Sequence, residues 1–395
     1  MSCFDLKSTL GGMLKTKLGT WRPLLSLLLA CLATPALADP AIIASADATI
    51  DAFQNTTGGL QQGGETLIKL RFDLAIDASS INPGLTGGIE VFHTEDGQLS
   101  GSRAGDLQTA SNIEAPRFDR LSQAWVQQSW GESFSIRLGL QDLNVEFDTI
   151  ESASMMVNSS HGVGPDISSS GSNGPSIFPT MGLAARLAWS PTSALAMRLA
   201  AFDAAPGNAD HPGRFADFTV NRRDGALIIG QADWTIASST QLSVGAWSYT
   251  AKTAAIDPLT IASRQAGVFG FITGPIPVHP RLTGWLRGGI ANGDTQTVSA
   301  YLGAGLVMAG PFASRADDSL GLAIASAQIG GPSRRLQGLP NRETTFELTY
   351  SAALTPWLTL QPDLQYISHP ASVPGLDDAL LVGLRVILSG SHRVP

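Results

Sequence analysis

The chain has 395 residues, 43% hydrophobic and 15% charged, with 42 glycines, two cysteines and a formal net charge of −8. Soluble proteins carry about 25% charged residues, and a disulfide-built scaffold needs more cysteine than this. Beyond the N-terminal region no run reaches the ~18 apolar residues of a spanning helix, and eight tryptophans argue against disorder, which leaves a chain apolar on average but never for long, as a membrane β-barrel is.

The N-terminus reads as an export signal. Lys7, Lys15, Lys17 and Arg22 precede the apolar run from Leu24 to Leu32, and Ala36-Leu37-Ala38 supplies a small-x-small cleavage site before Asp39. Met13 is an alternative start. A lipoprotein signal ending at Cys31 is the rival reading, weakened by the better-formed site seven residues later. Cleavage after Ala38 removes Cys3 and Cys31, and takes four basic residues against the single acidic Asp5. What remains is more acidic, keeps only Lys69 and Lys252 as lysines, and is a poor nucleic-acid binder.

Residues 39–63 are weakly patterned and are expected to lead into the barrel as a short helix or an extended segment. The barrel itself is expected over 64–388, with 389–395 as a C-terminal tail. From Thr66 to Asp77, Ile68, Leu70, Phe72, Leu74 and Ile76 share one face, while Lys69, Arg71, Asp73 and Asp77 share the other. A one-residue slip would reverse every side chain, and one Arg or Lys near a bilayer midplane costs about 2–4 kcal/mol. The register is therefore tightly specified. The same alternation sets Phe134, Ile136, Leu138 and Leu140 against Arg137, and Leu195, Met197 and Leu199 against Arg198. It sets Leu282, Leu286 and Ile290 against Trp285 and Arg287, and Phe346, Leu348 and Tyr350 against Glu347. Near the C-terminus Leu358, Leu360 and Leu364 oppose Asp363 and Gln365, and Leu380 to Leu388 oppose Arg385.

A soluble sandwich would show the same alternation. Three features favour a barrel: strand-like units run to the C-terminus without a helical block to cover a sheet; the polar faces are lysine-poor; and the length after Ala38 gives roughly sixteen strands at about 22 residues per strand and connection. Sixteen strands is about where a barrel leaves an aqueous lumen. The fold expected is an all-β transmembrane antiparallel barrel with long extracellular loops and short periplasmic turns. Asn158 to Pro179 and Ala204 to Asp217, rich in Gly, Pro, Ser and Asn, read as two of the long loops.

Motifs for chemistry are mostly missing. No nucleophile elbow, phosphate loop, dinucleotide fingerprint or zincin motif occurs, the six histidines lack metal-ligand spacing, and no cofactor is called for. Ser159, Ser160 and His161 invite a hydrolase reading, but adjacent residues rarely face each other and no orienting carboxylate is near in sequence. Asp317-Asp318 and Asp377-Asp378 could suggest calcium ligands; turn and strand-end roles fit them better. The chain reads as no enzyme.

Four blocks, in order, resemble a known family. They are Gly139-Leu140-Gln141-Asp142-Leu143-Asn144-Val145-Glu146-Phe147; Asn158-Ser159-Ser160 with Ser176-Ile177-Phe178-Pro179; Gly303 to Leu306 with Gly310-Pro311 and Arg315 to Leu322; and Glu347 to Tyr350, Thr355 to Leu358, Gln361 to Ile367 and Asp378 to Arg385. Together they resemble the carbohydrate-selective porins of the OprB family from about Gly59 to Leu388. The resemblance implies a sixteen-stranded barrel in the bacterial outer membrane, inserted by the barrel-assembly machinery and passing sugars by facilitated diffusion. Trimers are common among porins, and nothing in the sequence identifies an interface for a homo-oligomer. The chain departs from the family by ending its last strand on Leu388 rather than an aromatic residue, and by carrying His161 where an aromatic is expected.

Strand parity, not the motif blocks, points to lumen residues: Lys69, Arg71, Asp73, Arg137, Arg198, Arg287, Glu347, Asp363, Gln365 and Arg385, with Trp285 as the aromatic on the same face. Fixed arginine forks and carboxylates can replace water around sugar hydroxyls. Ladders of charge bracing the wall fit the same residues equally well. A same-fold channel for other small polar or aromatic solutes, a closed barrel and a barrel enzyme are the alternatives.

Overall fold

The computed structural model describes residues 41–208, 211–220, 223–236 and 239–394; the signal expected over 1–38, with its rival readings at Met13 and Cys31, lies outside them. Sixteen antiparallel strands close into one barrel. They are β1 (Ala41–Thr57), β2 (Gly63–Asp77), β3 (Leu85–Thr94), β4 (Phe118–Trp130), β5 (Phe134–Gln141), β6 (Gly182–Thr192), β7 (Leu195–Asp203) and β8 (Ala226–Ile236), then β9 (Thr240–Tyr249), β10 (Ala266–Pro275), β11 (Leu282–Ala291), β12 (Val298–Ala309), β13 (Ser319–Ile329), β14 (Arg342–Thr355), β15 (Leu358–Ser368) and β16 (Ala379–Val394). Each strand pairs with its sequence neighbours and β1 pairs with β16, so the backbone polar groups of the wall are satisfied within the wall. Two short helices, α1 (Pro165–Ser168) and α2 (Gly331–Gln337), lie in connections. Among the described residues no helix is long and apolar enough to cross a membrane.

Both ends of the barrel extend past their expected limits. Residues 41–57, which the sequence leaves as a lead-in, form β1. Its outward positions Ile42, Ala44, Ala46, Ala48, Ile50 and Ala52 are mostly alanine, so they contrast little with Asp47, Thr49 and Asp51. Ser389 to Val394, expected as a tail, continue β16 and pair with residues 42–47 of β1. The closing seam therefore joins the first and last strands of the barrel along nearly their whole length.

Cross-strand partners share a face of the sheet, so the register carries inside and outside around the whole wall. Val126, Leu138, Leu187, Leu199, Leu286 and Leu302, on one parity, are at least 42% exposed. Trp130, Trp189, Trp234 and Trp357 are also exposed and cluster beside the short turns at one end, as an interfacial aromatic belt does. The opposite end carries the long connections, residues 95–117, 142–181, 204–225 and 250–265.

Two of those connections fold inward. Residues 142–181 pack Leu143, Phe147, Val163 and Ile167 against Phe202, Leu227, Ile229, Trp247 and Phe269 of the wall. Residues 95–117 pack Leu99, Ala104, Ala110 and Ile113 against Phe53, Leu67, Ile367 and Leu381. The hydrophobic core thus sits between wall and loops, inside the barrel. Five interior aromatics lie over a glycine directly opposite on the next strand: Phe53 over Gly383, Trp125 over Gly88, Trp247 over Gly267, Phe269 over Gly245 and Trp285 over Gly305. A Cβ on Gly305 would stand 2.1 Å from the Trp285 ring. Part of the glycine excess is therefore room for rings laid flat along the wall.

Candidate functional site

All eleven residues selected by strand parity lie on the face opposite the exposed apolar band. The inward loops divide them. Glu347 accepts backbone N–H bonds from Val157 (2.5 Å) and Asn158 (3.1 Å). Gln365 accepts from the Asn158 amide (3.2 Å) and donates to Asp363 (2.9 Å) and to the Ala110 carbonyl (2.8 Å). Arg385 forks onto Asp51 with two 2.7 Å bonds and also reaches Asn112 (2.8 Å). Arg287 pairs with Asp148 and donates to the Ser160 carbonyl. Trp285 meets His161 edge to face, ring centroids 6.1 Å apart. These six side chains, Asp363 included, are buried; they hold the loops rather than face water.

The other five are partly or largely exposed on the face opposite the apolar band. Arg71, with its side chain 42% exposed, contacts Asp47 (2.7 Å), Asp73 (3.2 Å) and, at 3.7 Å, Glu90. Lys69 lies over the Phe178 ring at 4.2 Å. Arg137 lies over Trp125 at 4.0 Å and pairs with Glu146 at 2.8 Å. Arg198 pairs with Asp233, whose other oxygen accepts from Gln231, Gln241 and Ser243. A half-belt of charge and amides, with flat rings among them, thus runs along the interior of β1–β9.

Several members of this belt escaped the sequence reading: Asp47, Glu90, Trp125, Gln127, Glu146, Arg186 and Asp233. Arg186 carried a usable signal, since Leu183, Ala185, Leu187 and Trp189 alternate around it. Glu146 carried none, because it reaches the wall from a loop. Asp233 follows Ile228-Ile229, where alternation fails because Ile229 packs under the loop.

The loop from Asn158 to Pro179 is long as expected, but its first part is interior. Ser160 and His161 are buried, the imidazole has no hydrogen-bond partner, and its closest carboxylate oxygen, on Glu347, stands 3.7 Å away. Burial holds the His161 ring down to about 3, so it stays neutral, and no hydrogen bond joins either ring nitrogen to Ser159 or Ser160. Asp318 is taken up by Arg315, Tyr350 and the Ala353 N–H, and Asp378 by Tyr366 and the His369 N–H; both are structural clasps. Among the described residues no grouping of His, Cys, Asp and Glu is arranged to hold a metal ion.

Comparison with known proteins adds to this geometry. Residues 58–389 match the family described as carbohydrate-selective porin, OprB family. Over 110 residues the chain is 33% identical to porin B of Pseudomonas aeruginosa; the match takes in 23% of this chain and 24% of that protein, so it spans about a quarter of the relative's length. The high-pH structure of Pseudomonas putida OprB superposes with a TM-score of 0.76 at 19% identity, over 94% of this chain and 97% of that one. An anion-selective porin from Comamonas acidovorans superposes at 0.55 and 12% identity, over 89% and 99%.

Proposed function

The chain belongs to the OprB family of carbohydrate-selective porins, and from that premise we propose that its barrel passes small neutral sugars across the bacterial outer membrane by passive diffusion. Porin-type diffusion is what the family does in common; the preference for sugars is the proposal. The observation that carries it is the pairing of the belt arginines, of which Arg71, Arg137 and Arg198 are partly exposed and Arg186 is buried. Arg71, Arg137, Arg186 and Arg198 each stand against a carboxylate from Asp47, Glu146 or Asp233. A channel built for anions leaves cationic forks uncovered; one built for neutral hydroxylated solutes balances them.

A sugar can then exchange hydroxyl hydrogen bonds with the exposed members of these pairs and with Gln127 and Gln241, beside Trp125, whose ring lies between Gly88 and Arg137. Each such contact replaces water at intermediate strength, and binding weak enough to release is what conduction requires. Arginine serves better than lysine because its planar fork makes paired bonds and stacks. Lys69, Arg71, Asp73, Arg137 and Arg198 are the solute-contacting residues in this reading, whereas Trp285, Arg287, Glu347, Asp363, Gln365 and Arg385 position the loops that narrow the path. Liposome swelling tests it: sugars are expected to enter faster than amino acids of similar size, and equal rates would sink the selectivity.

A further inference from the structure

Glu146 occupies a position unlike any other carboxylate of the belt. Arg137 on β5 and Arg186 on β6 are direct cross-strand partners, an arrangement in which like charges repel. Between them lies one carboxylate. Glu146 Oε1 accepts from Arg186 Nη2 at 2.8 Å and stands 2.8 Å from Arg137 Nη1 in an ion pair, and Oε2 stands 2.6 Å from Arg186 Nε. The Gln127 amide oxygen adds bonds from Arg137 Nε (3.0 Å) and Arg186 Nη2 (2.7 Å), without charge. Arg71 and Arg198 have their carboxylates on the wall itself. The Arg137–Arg186 pair has its only ion partner among the described residues on a loop.

We propose that Glu146 is the specificity-determining residue that keeps anionic solutes out of this pathway. Its carboxylate occupies two adjacent guanidinium forks, which would otherwise take a carboxylate or phosphate group bidentately. With Glu146 in place the site offers neutral sugars polar contacts and a net charge of one; without it, two uncovered cations face the lumen and favour sugar acids and sugar phosphates. Away from bulk water such a difference is screened less than at an open surface. This rests on reading the barrel as a channel for neutral solutes and names the group that sets the neutrality.

The test is the reversal potential of the full-length protein in planar bilayers under a potassium chloride gradient. Glu146→Gln is expected to shift it towards the chloride equilibrium potential, and inorganic phosphate is expected to block the variant but not the parent. Glu151→Gln, an exposed carboxylate on the same loop, is expected to shift it less. An unmoved reversal potential in a conducting Glu146→Gln channel, or an equal shift in Glu151→Gln, overturns the proposal. Should Glu146→Gln not form channels, Arg137→Gln is expected to shift the parent value towards potassium, and no shift there overturns it equally. Sugar-driven swelling of the parent protein, measured in parallel, separates the two claims: without a sugar preference the neutral-solute reading fails, while a charge shift at Glu146 still stands.

Discussion

Single residues inside this barrel act through what covers them. Asp51 and Arg385 join β1 to β16 by a two-pronged, buried contact. Removing one partner of a buried pair leaves a charge stripped of water, at about 3–5 kcal/mol, whereas replacing both by apolar groups of similar volume is far milder. Asp51→Ala is expected to lower the urea midpoint of the detergent-solubilised barrel accordingly, and Asp51→Ala with Arg385→Met to recover most of the loss; equal losses would show that the pair does not act as a unit. Glycine makes a second test. Gly305→Val pushes a side chain into the Trp285 ring, an overpacking cost of about 1–3 kcal/mol, while the Cβ of Gly390→Val meets nothing within 4 Å. The same assay should register the first substitution and scarcely the second; equal effects would mean that the ring does not need the gap.

At the scale of elements, the inward loops are the part that pH should move. Burial raises the carboxyl of Asp106 to about 6 and those of Glu114, Asp142 and Asp166 to about 7, and all four lie on residues 95–117 or 142–181. A carboxyl raised on docking opposes docking once it ionises. That opposition is complete above about pH 7 and fades as pH falls from there towards the ordinary carboxylate range near 4. His161, neutral until about 3, adds no charge in this window. Acidifying from about pH 8 to about pH 5 is therefore expected to slow amide exchange of residues 142–170, after correction for intrinsic rates, relative to the strands. Faster corrected exchange at the lower pH would contradict the assignment.

These elements also show what a sequence can and cannot disclose. β2 from Thr66 and β16 as far as Leu388 were legible because large aliphatic residues alternate there with charge or glycine. β1 was not, since alanine on its outer face gives the alternation little contrast. The inward loops were invisible for a deeper reason. Pattern reading assumes a wet lumen, so Leu67, Phe271 and Ile229, apolar and inward, look like faults in the strand when they are docking points for a loop. Parity placed all eleven chosen residues on one face but could not separate Arg71, open to water, from Arg287, which Asp148 and Ser160 enclose.

Taken as a whole molecule, the barrel sets arginines against carboxylates along the interior of β1–β9. Inward loops are held on Glu347, Gln365, Arg385 and Glu343, the last accepting N–H bonds from Leu107, Gln108 and Ala371; the arginine–carboxylate pairs of the belt lie beside Trp125 and Lys69. The low charge and high glycine of the chain follow from this division: one face of each strand meets lipid, and the other is laid with rings over glycine or with paired ions. The most direct test is single-channel conductance in planar bilayers with a panel of neutral sugars added as blockers. Sugar-dependent, reversible reduction of the current, weakened by Arg137→Ala or Arg198→Ala, is the expected result. A conducting channel whose current no sugar reduces beyond the change in bulk conductivity, or a barrel that carries no current, would contradict it.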